Sequence, residues 1–163
     1  MPEQIVAADG AVLYTRADIE TGRQVWQSVG GQQLGSIWGH GALVAPDWSA
    51  DWLHREATDV LDQWARRDYD MPAYAHLSPE QQAGLRGRLQ QVMRTNTYDP
   101  ATQTITLAPE RVIALSNVAA HYESLFGNDP ATAALRETYA MKNATVDSLE
   151  HRRQLTAFFF WTS

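Results

Sequence analysis

The sequence predicts a mainly α-helical protein with one or two short β-hairpins. Helix-start signals recur: Pro46 and Asp47 before Trp48, Ser78 before Pro79, Pro109 before Glu110, and Asp129 before Pro130. Apolar residues then return at three- and four-residue spacing, the mark of a helix with one buried face. Extended patterning with a turn dipeptide is confined to two stretches, residues 4–15 around Asp9 and Gly10 and residues 96–107 after Asp99 and Pro100.

Taken in order, Ile5 and Val6, then Val12, Leu13 and Tyr14, flank the Asp9-Gly10 turn, as a short hairpin or an extended lead-in. Asp18 is read as the cap of a helix reaching about Val29, with Ile19, Val25, Trp26 and Val29 as its apolar positions and Gly22 as a weak point. Residues 30–64 form the stretch around which the chain is organised. They hold Trp38, Trp48, Trp52 and Trp64, and begin as a loop punctuated by Gly30, Gly31, Gly35, Gly39 and Gly41. From Asp47 to about Arg67 a helix carries Trp48, Trp52, Ala57, Val60 and Trp64 on one face. Residue types alone favour a packed core over a binding pocket here, because buried aromatics are what cores are made of. A third helix runs from Ser78 to about Arg94 on Leu85, Leu89, Val92 and Met93. After the second hairpin, a fourth helix starts at Pro109 and ends at Gly127, with Val112, Leu115, Val118, Ala119, Tyr122, Leu125 and Phe126 on one face. A fifth spans Asp129 to about Tyr139, and a last begins near Asp147 and continues to the end.

The chain has 163 residues, enough for one domain with a real core, and its 44% hydrophobic content and six tryptophans argue for packing. A net charge of −6 argues against a nucleic-acid or anionic-membrane surface, either of which calls for a basic face. With no cysteine, disulfides, thiolate metal sites, a thiol nucleophile and thioether-bound haem are all excluded. The first residues lack the basic start and apolar region of a signal peptide. No window reaches the roughly 18 apolar residues of a membrane span. Phe158, Phe159, Phe160 and Trp161 at a free end would form an exposed, aggregation-prone patch. From this the chain is expected to be a piece of a longer one, with residues 1–144 a soluble extramembrane domain and 145–163 a helix leading to a membrane-proximal or membrane segment.

His40, His54, His76, His121 and His151 are scattered without metal-ligand spacing, so surface or locally bonded roles are expected for them. His40, between two glycines, stands apart. Asp47, Asp51, Glu56, Asp59 and Asp62 are expected on the solvated face opposite the tryptophans, not as acid/base pairs. No phosphate loop, nucleophile elbow or His-Glu-x-x-His motif occurs, and Ser36 has no base near it in sequence. Asn143, Ala144 and Thr145 match a glycosylation acceptor, a weak tripeptide signal. No catalytic, cofactor-binding or metal-ligating residue is assigned.

The motif GSIWGHGALVAPDWSADWLHRE at residues 35–56 resembles the soluble segment of quinol-dependent bacterial nitric oxide reductases, large-subunit members of the haem-copper oxidase superfamily. Gly22, Arg23, Gln24, Val25 and Trp26, and the Leu155-to-Trp161 run, extend the resemblance from about Asp9 to Ser163. The resemblance implies a cytochrome c-like helical core without haem, on the periplasmic side of the bacterial inner membrane. It implies a parent that reduces nitric oxide to nitrous oxide with electrons from quinol. The parent's haem b, haem b3 and non-haem iron would lie in membrane helices of the same polypeptide, which are this domain's implied partners. Ser36 and Gly39 would then stand where haem-attaching cysteines belong, and His40 at the axial-ligand position. The expectation is that aromatic side chains, Trp38 first, fill the haem's space. The domain's implied work is structural, capping the membrane part. Two other readings stay open: a free-standing helical module that binds a small molecule or protein, and a noncovalent haem binder using His40.

Overall fold

The computed structural model describes residues 1–39 and 44–163. Among them, six α-helices surround an aromatic core, and a four-stranded sheet lies at one side.

Strands β1 (Gln4–Ala7) and β2 (Val12–Thr15) pair antiparallel. At their turn Gly10 takes a φ of 87°, and Asp9 accepts the Ala11 amide at 3.0 Å. Strands β3 (Tyr98–Asp99) and β4 (Thr104–Leu107) make the second hairpin. The two predicted hairpins join into one sheet, ordered β2-β1-β4-β3, through parallel pairing of β1 with β4 from Gln4↔Thr104 to Ala7↔Leu107. Local pattern could not reveal that pairing, since it closes a loop of most of the chain. Ile5 and Leu107 project from the sheet into the core, with 0% and 1% exposure.

Helix α1 (Arg16–Ser28) is capped by Thr15, not by Asp18. Asp18 occupies the third helical position and accepts the Thr15 amide at 2.8 Å, while the Thr15 hydroxyl accepts the Asp18 amide. Gly22, expected to weaken this helix, marks its crossing with α6 (Leu149–Thr162). A Cβ at Gly22 would lie 1.9 Å from the Gln154 carbonyl oxygen, so only glycine lets the two backbones meet.

Helix α2 (Trp48–Tyr69) is capped by Asp47, as its sequence signalled. Helix α3 (Pro79–Arg94) opens with a Ser78–Gln81 capping box and proline in its first turn. Helix α4 (Pro109–Phe126) follows the sheet, and α5 (Ala133–Thr138) is a short helix after a 3₁₀ turn at Pro130–Thr132. The main core gathers α1, the first half of α2, α4 and α6 around Trp48, Trp52, Tyr122, Phe126 and Phe159. A smaller cluster under α3 joins Val60, Trp64, Leu77, Leu85 and Ala114. There the Arg88 guanidinium lies 4.1 Å from the Trp64 ring centre.

Two expectations fail. The aromatic run near the end is not an exposed patch: Phe158, Phe159 and Phe160 are buried within this domain because α6 packs along α1 and α4. The carboxylates of α2 are not one solvated face either, since Glu56 is fully buried. No helix among the described residues is long and apolar enough to cross a membrane.

Candidate functional site

The loop from Ser36 into α2 is built on one carboxylate. Asp47 Oδ1 accepts the Ala50 amide at 2.9 Å and the Ser49 hydroxyl. Its Oδ2 accepts the Ser36 hydroxyl at 2.7 Å and the Gly39 amide. The Ser36 amide donates to the Pro46 carbonyl, and the Trp48 amide to the Ser36 carbonyl, so the loop closes as a short parallel bridge. Burial alone would raise the Asp47 pKa. The hydrogen bonds from Ser49, Gly39, Ala50 and Ser36 outweigh it and bring the carboxyl down to about 2. A carboxylate so acidic is a poor base near neutrality, which leaves Ser36 without the partner a nucleophile needs. This clasp is structural chemistry.

The clasp also sets Trp38. Ser49 Oγ accepts the Trp38 amide at 3.2 Å, and the Trp38 backbone adopts a φ of 56°, followed by Gly39 at 75°. A bulky residue in the left-handed region is strained, and persists only where its surroundings impose it. The side chain does not fill the interior, as the sequence led us to expect. Trp38 is 61% exposed, its indole N–H donates to the Thr162 carbonyl at 2.8 Å, and its ring meets Trp161 edge-on at 6.2 Å.

Other aromatics occupy the centre. Trp48 stacks on Phe159 at 5.7 Å and takes Phe126, Tyr122 and Tyr139 edge-on. Trp52 stacks on Tyr122 at 5.4 Å with an interplanar angle of 5°. Gly35 lies so close to Trp48 that a Cβ there would come within 2.2 Å of the indole nitrogen. His40 lies outside the described residues.

The α2 carboxylates are tied to neighbouring elements. Glu56 accepts the Trp52 indole N–H at 3.2 Å and the Arg111 guanidinium at 2.6 Å. Asp51 accepts the Tyr122 hydroxyl at 2.6 Å and Arg55 at 2.8 Å. Burial first, and then the Asp51 charge, push the Tyr122 hydroxyl far above its ordinary range. Asp59 accepts Asn117, and Asp62 accepts the Tyr74 amide. A cleft of about 400 Å³ between α2 and α4 sets His121 of α4 beside Asp51, His54, Asp59 and Asp62 of α2, and only the arrival of His121 was hidden by distance in sequence. Burial, with Arg55 beside it, lowers the His121 pKa and favours the neutral ring. Among the described residues no group of three or more His, Cys, Asp or Glu is placed to hold a metal.

The buried Arg136 was also missed. Its guanidinium donates to the Ser124 and Asp129 carbonyls, the Thr132 hydroxyl and Asn143 Oδ1, joining α5 to the end of α4. Its signal was an Arg in a short helix among Ser, Thr, Asn and Asp, too ordinary a pattern to identify.

The family of the NorB cytochrome c-like domain of nitric oxide reductase matches residues 2–163. No curated protein matches the chain. The described residues do not fit a haem held by thioethers. The chain has no cysteine to form one, and Ser36 and Gly39 are engaged with Asp47.

Proposed function

Because the chain belongs to the NorB cytochrome c-like domain family of nitric oxide reductase, we propose that it is the non-catalytic, haem-free extramembrane domain of a quinol-dependent nitric oxide reductase. The parent reaction is 2 NO + QH₂ → N₂O + H₂O + Q, where QH₂ is the quinol and Q the quinone. Haem b, haem b3 and a non-haem iron would carry it in membrane helices of the same polypeptide, with this domain on the periplasmic side. One observation carries the haem-free, structural reading. The interior is packed with Trp48, Trp52, Tyr122, Phe126 and Phe159, each buried to 1% exposure or less, and the segment that would carry a haem motif is closed on Asp47. A domain so filled has no electron carrier to offer a soluble cytochrome, which agrees with a donor that arrives through the membrane. Its work is then to cap the membrane part.

Two assays test this. Haemin added to the 163-residue chain should give no shifted Soret band, and a His-ligated spectrum would overturn the haem-free reading. The whole enzyme in membranes should reduce nitric oxide with a quinol analogue. Equal turnover with reduced soluble cytochrome c as sole donor would overturn the quinol assignment.

A further inference from the structure

Trp38 is the tryptophan that the core does not use. Trp48, Trp52 and Trp64 are completely buried and Trp26 is 8% exposed, whereas Trp38 is held out at 61%. Its position is imposed rather than loose, because the strained backbone, the Ser49 contact and the bond to Thr162 all fix it. Beside it runs a groove of about 260 Å³, walled by Trp26, Ile37, Trp38, Phe158 and Trp161, with Gln32 and Arg23 also lining it. Arg23 is the one charged residue among the described residues that line this groove.

The net charge of −6 argued against an anionic-membrane surface, but that charge is unevenly placed. Residues 21–46 contain no Asp or Glu, nor do residues 151–163, although the chain has 19. The groove draws all its lining from these two segments. A groove whose described lining holds paired indoles, an amide and one arginine, with the Asp47 carboxylate spent on the clasp behind Trp38, has the composition of a bilayer interface. Indoles sit at headgroup level there, and cations meet lipid phosphates.

We propose that this groove, with Trp38 and Trp161 leading, is a docking surface for the lipid headgroup region. It orients the domain so that the C-terminal end of α6 faces the bilayer. The proposal rests on the reading of the chain as part of a membrane enzyme, and names the lipid surface that this part would meet.

The test uses the 163-residue chain with vesicles of phosphatidylethanolamine and phosphatidylglycerol, plain or carrying brominated acyl chains. Iodide reaches mainly the exposed Trp38 indole, so vesicles should cut the iodide-accessible emission by half or more. Brominated lipid should quench the same emission. Trp38→Ala should weaken vesicle affinity about tenfold, as lost apolar contact at an interface does, and Trp38→Phe should restore part of it. Arg23→Gln should cost about fivefold, on phosphatidylglycerol vesicles alone. Unchanged iodide access, or unchanged affinity in folded Trp38→Ala, would overturn the proposal. Protection without bromine quenching would put a second copy of the chain on the groove, and would overturn it too. Loss of quinol-driven turnover in the whole enzyme would sink the functional reading and leave the vesicle result standing. Loss of vesicle binding alone removes only the docking surface.

Discussion

Removing the Asp47 carboxylate would leave four donors without their acceptor: the Ser36 and Ser49 hydroxyls and the Gly39 and Ala50 amides. Asp47→Ala should therefore destabilise the chain by about 1–2 kcal/mol in urea titrations, the usual cost of losing a helix cap. It should also raise iodide access to the glycine loop's tryptophan, since the clasp orients Trp38. The pH dependence has a definite sign. The folded pKa of about 2 lies below the ordinary 3.8, so this stabilisation is fully present above about pH 4 and is lost as pH falls toward 2. Acid titration of stability in wild type and Asp47→Ala checks it. The two curves should converge at low pH, and a constant gap down to pH 2 would contradict the assignment.

At the scale of elements, glycines of the same type have opposite roles. Gly22 sits where α1 meets the Gln154 carbonyl, whereas a methyl group at Gly84 in α3 would meet nothing within 4 Å. Gly22→Ala should cost about 3 kcal/mol or more, because overpacking against backbone exceeds the usual 1–3 kcal/mol of a core insertion. Gly84→Ala should add about 0.5–1 kcal/mol by improving helix propensity. Thermal melts of both variants test this, and a stable Gly22→Ala would mean that α1 and α6 do not cross there. The Glu56–Arg111 pair works at the same scale, joining α2 to α4 beneath the Trp52 indole. A buried charge of this kind is costly unless matched, so its partner had to come from a neighbouring element.

Across the molecule, stability is uneven. Helix α3 has one buried apolar residue, Leu85, whereas α6 buries Leu155, Ala157, Phe158, Phe159 and Phe160. Amide hydrogen exchange should find α3 opening at lower free energy than α6, since local opening follows buried apolar contact. Equal protection in both helices would mean that the small cluster under α3 is as cooperative as the main core.

Much of this was legible in residue order. The caps at Asp47 and Ser78, the prolines in the first turns of α3 and α4, and the Asp9-Gly10 turn are local devices, whose chemistry lies within four residues. The long motif at residues 35–56 likewise carried the family, because family membership is a property of sequence.

What tertiary structure alone decided depends on distance along the chain. The parallel joining of β1 to β4, the crossing at Gly22, the burial of Glu56 and the setting of Arg136 all arise between segments that no local period relates. Trp38 shows the limit most sharply. Its apolarity and its place in an aromatic stretch both pointed inward, and hydrophobicity was the wrong guide there. The backbone geometry that Asp47 and Ser49 impose, together with an acceptor at Thr162 at the far end of the chain, turns the indole outward.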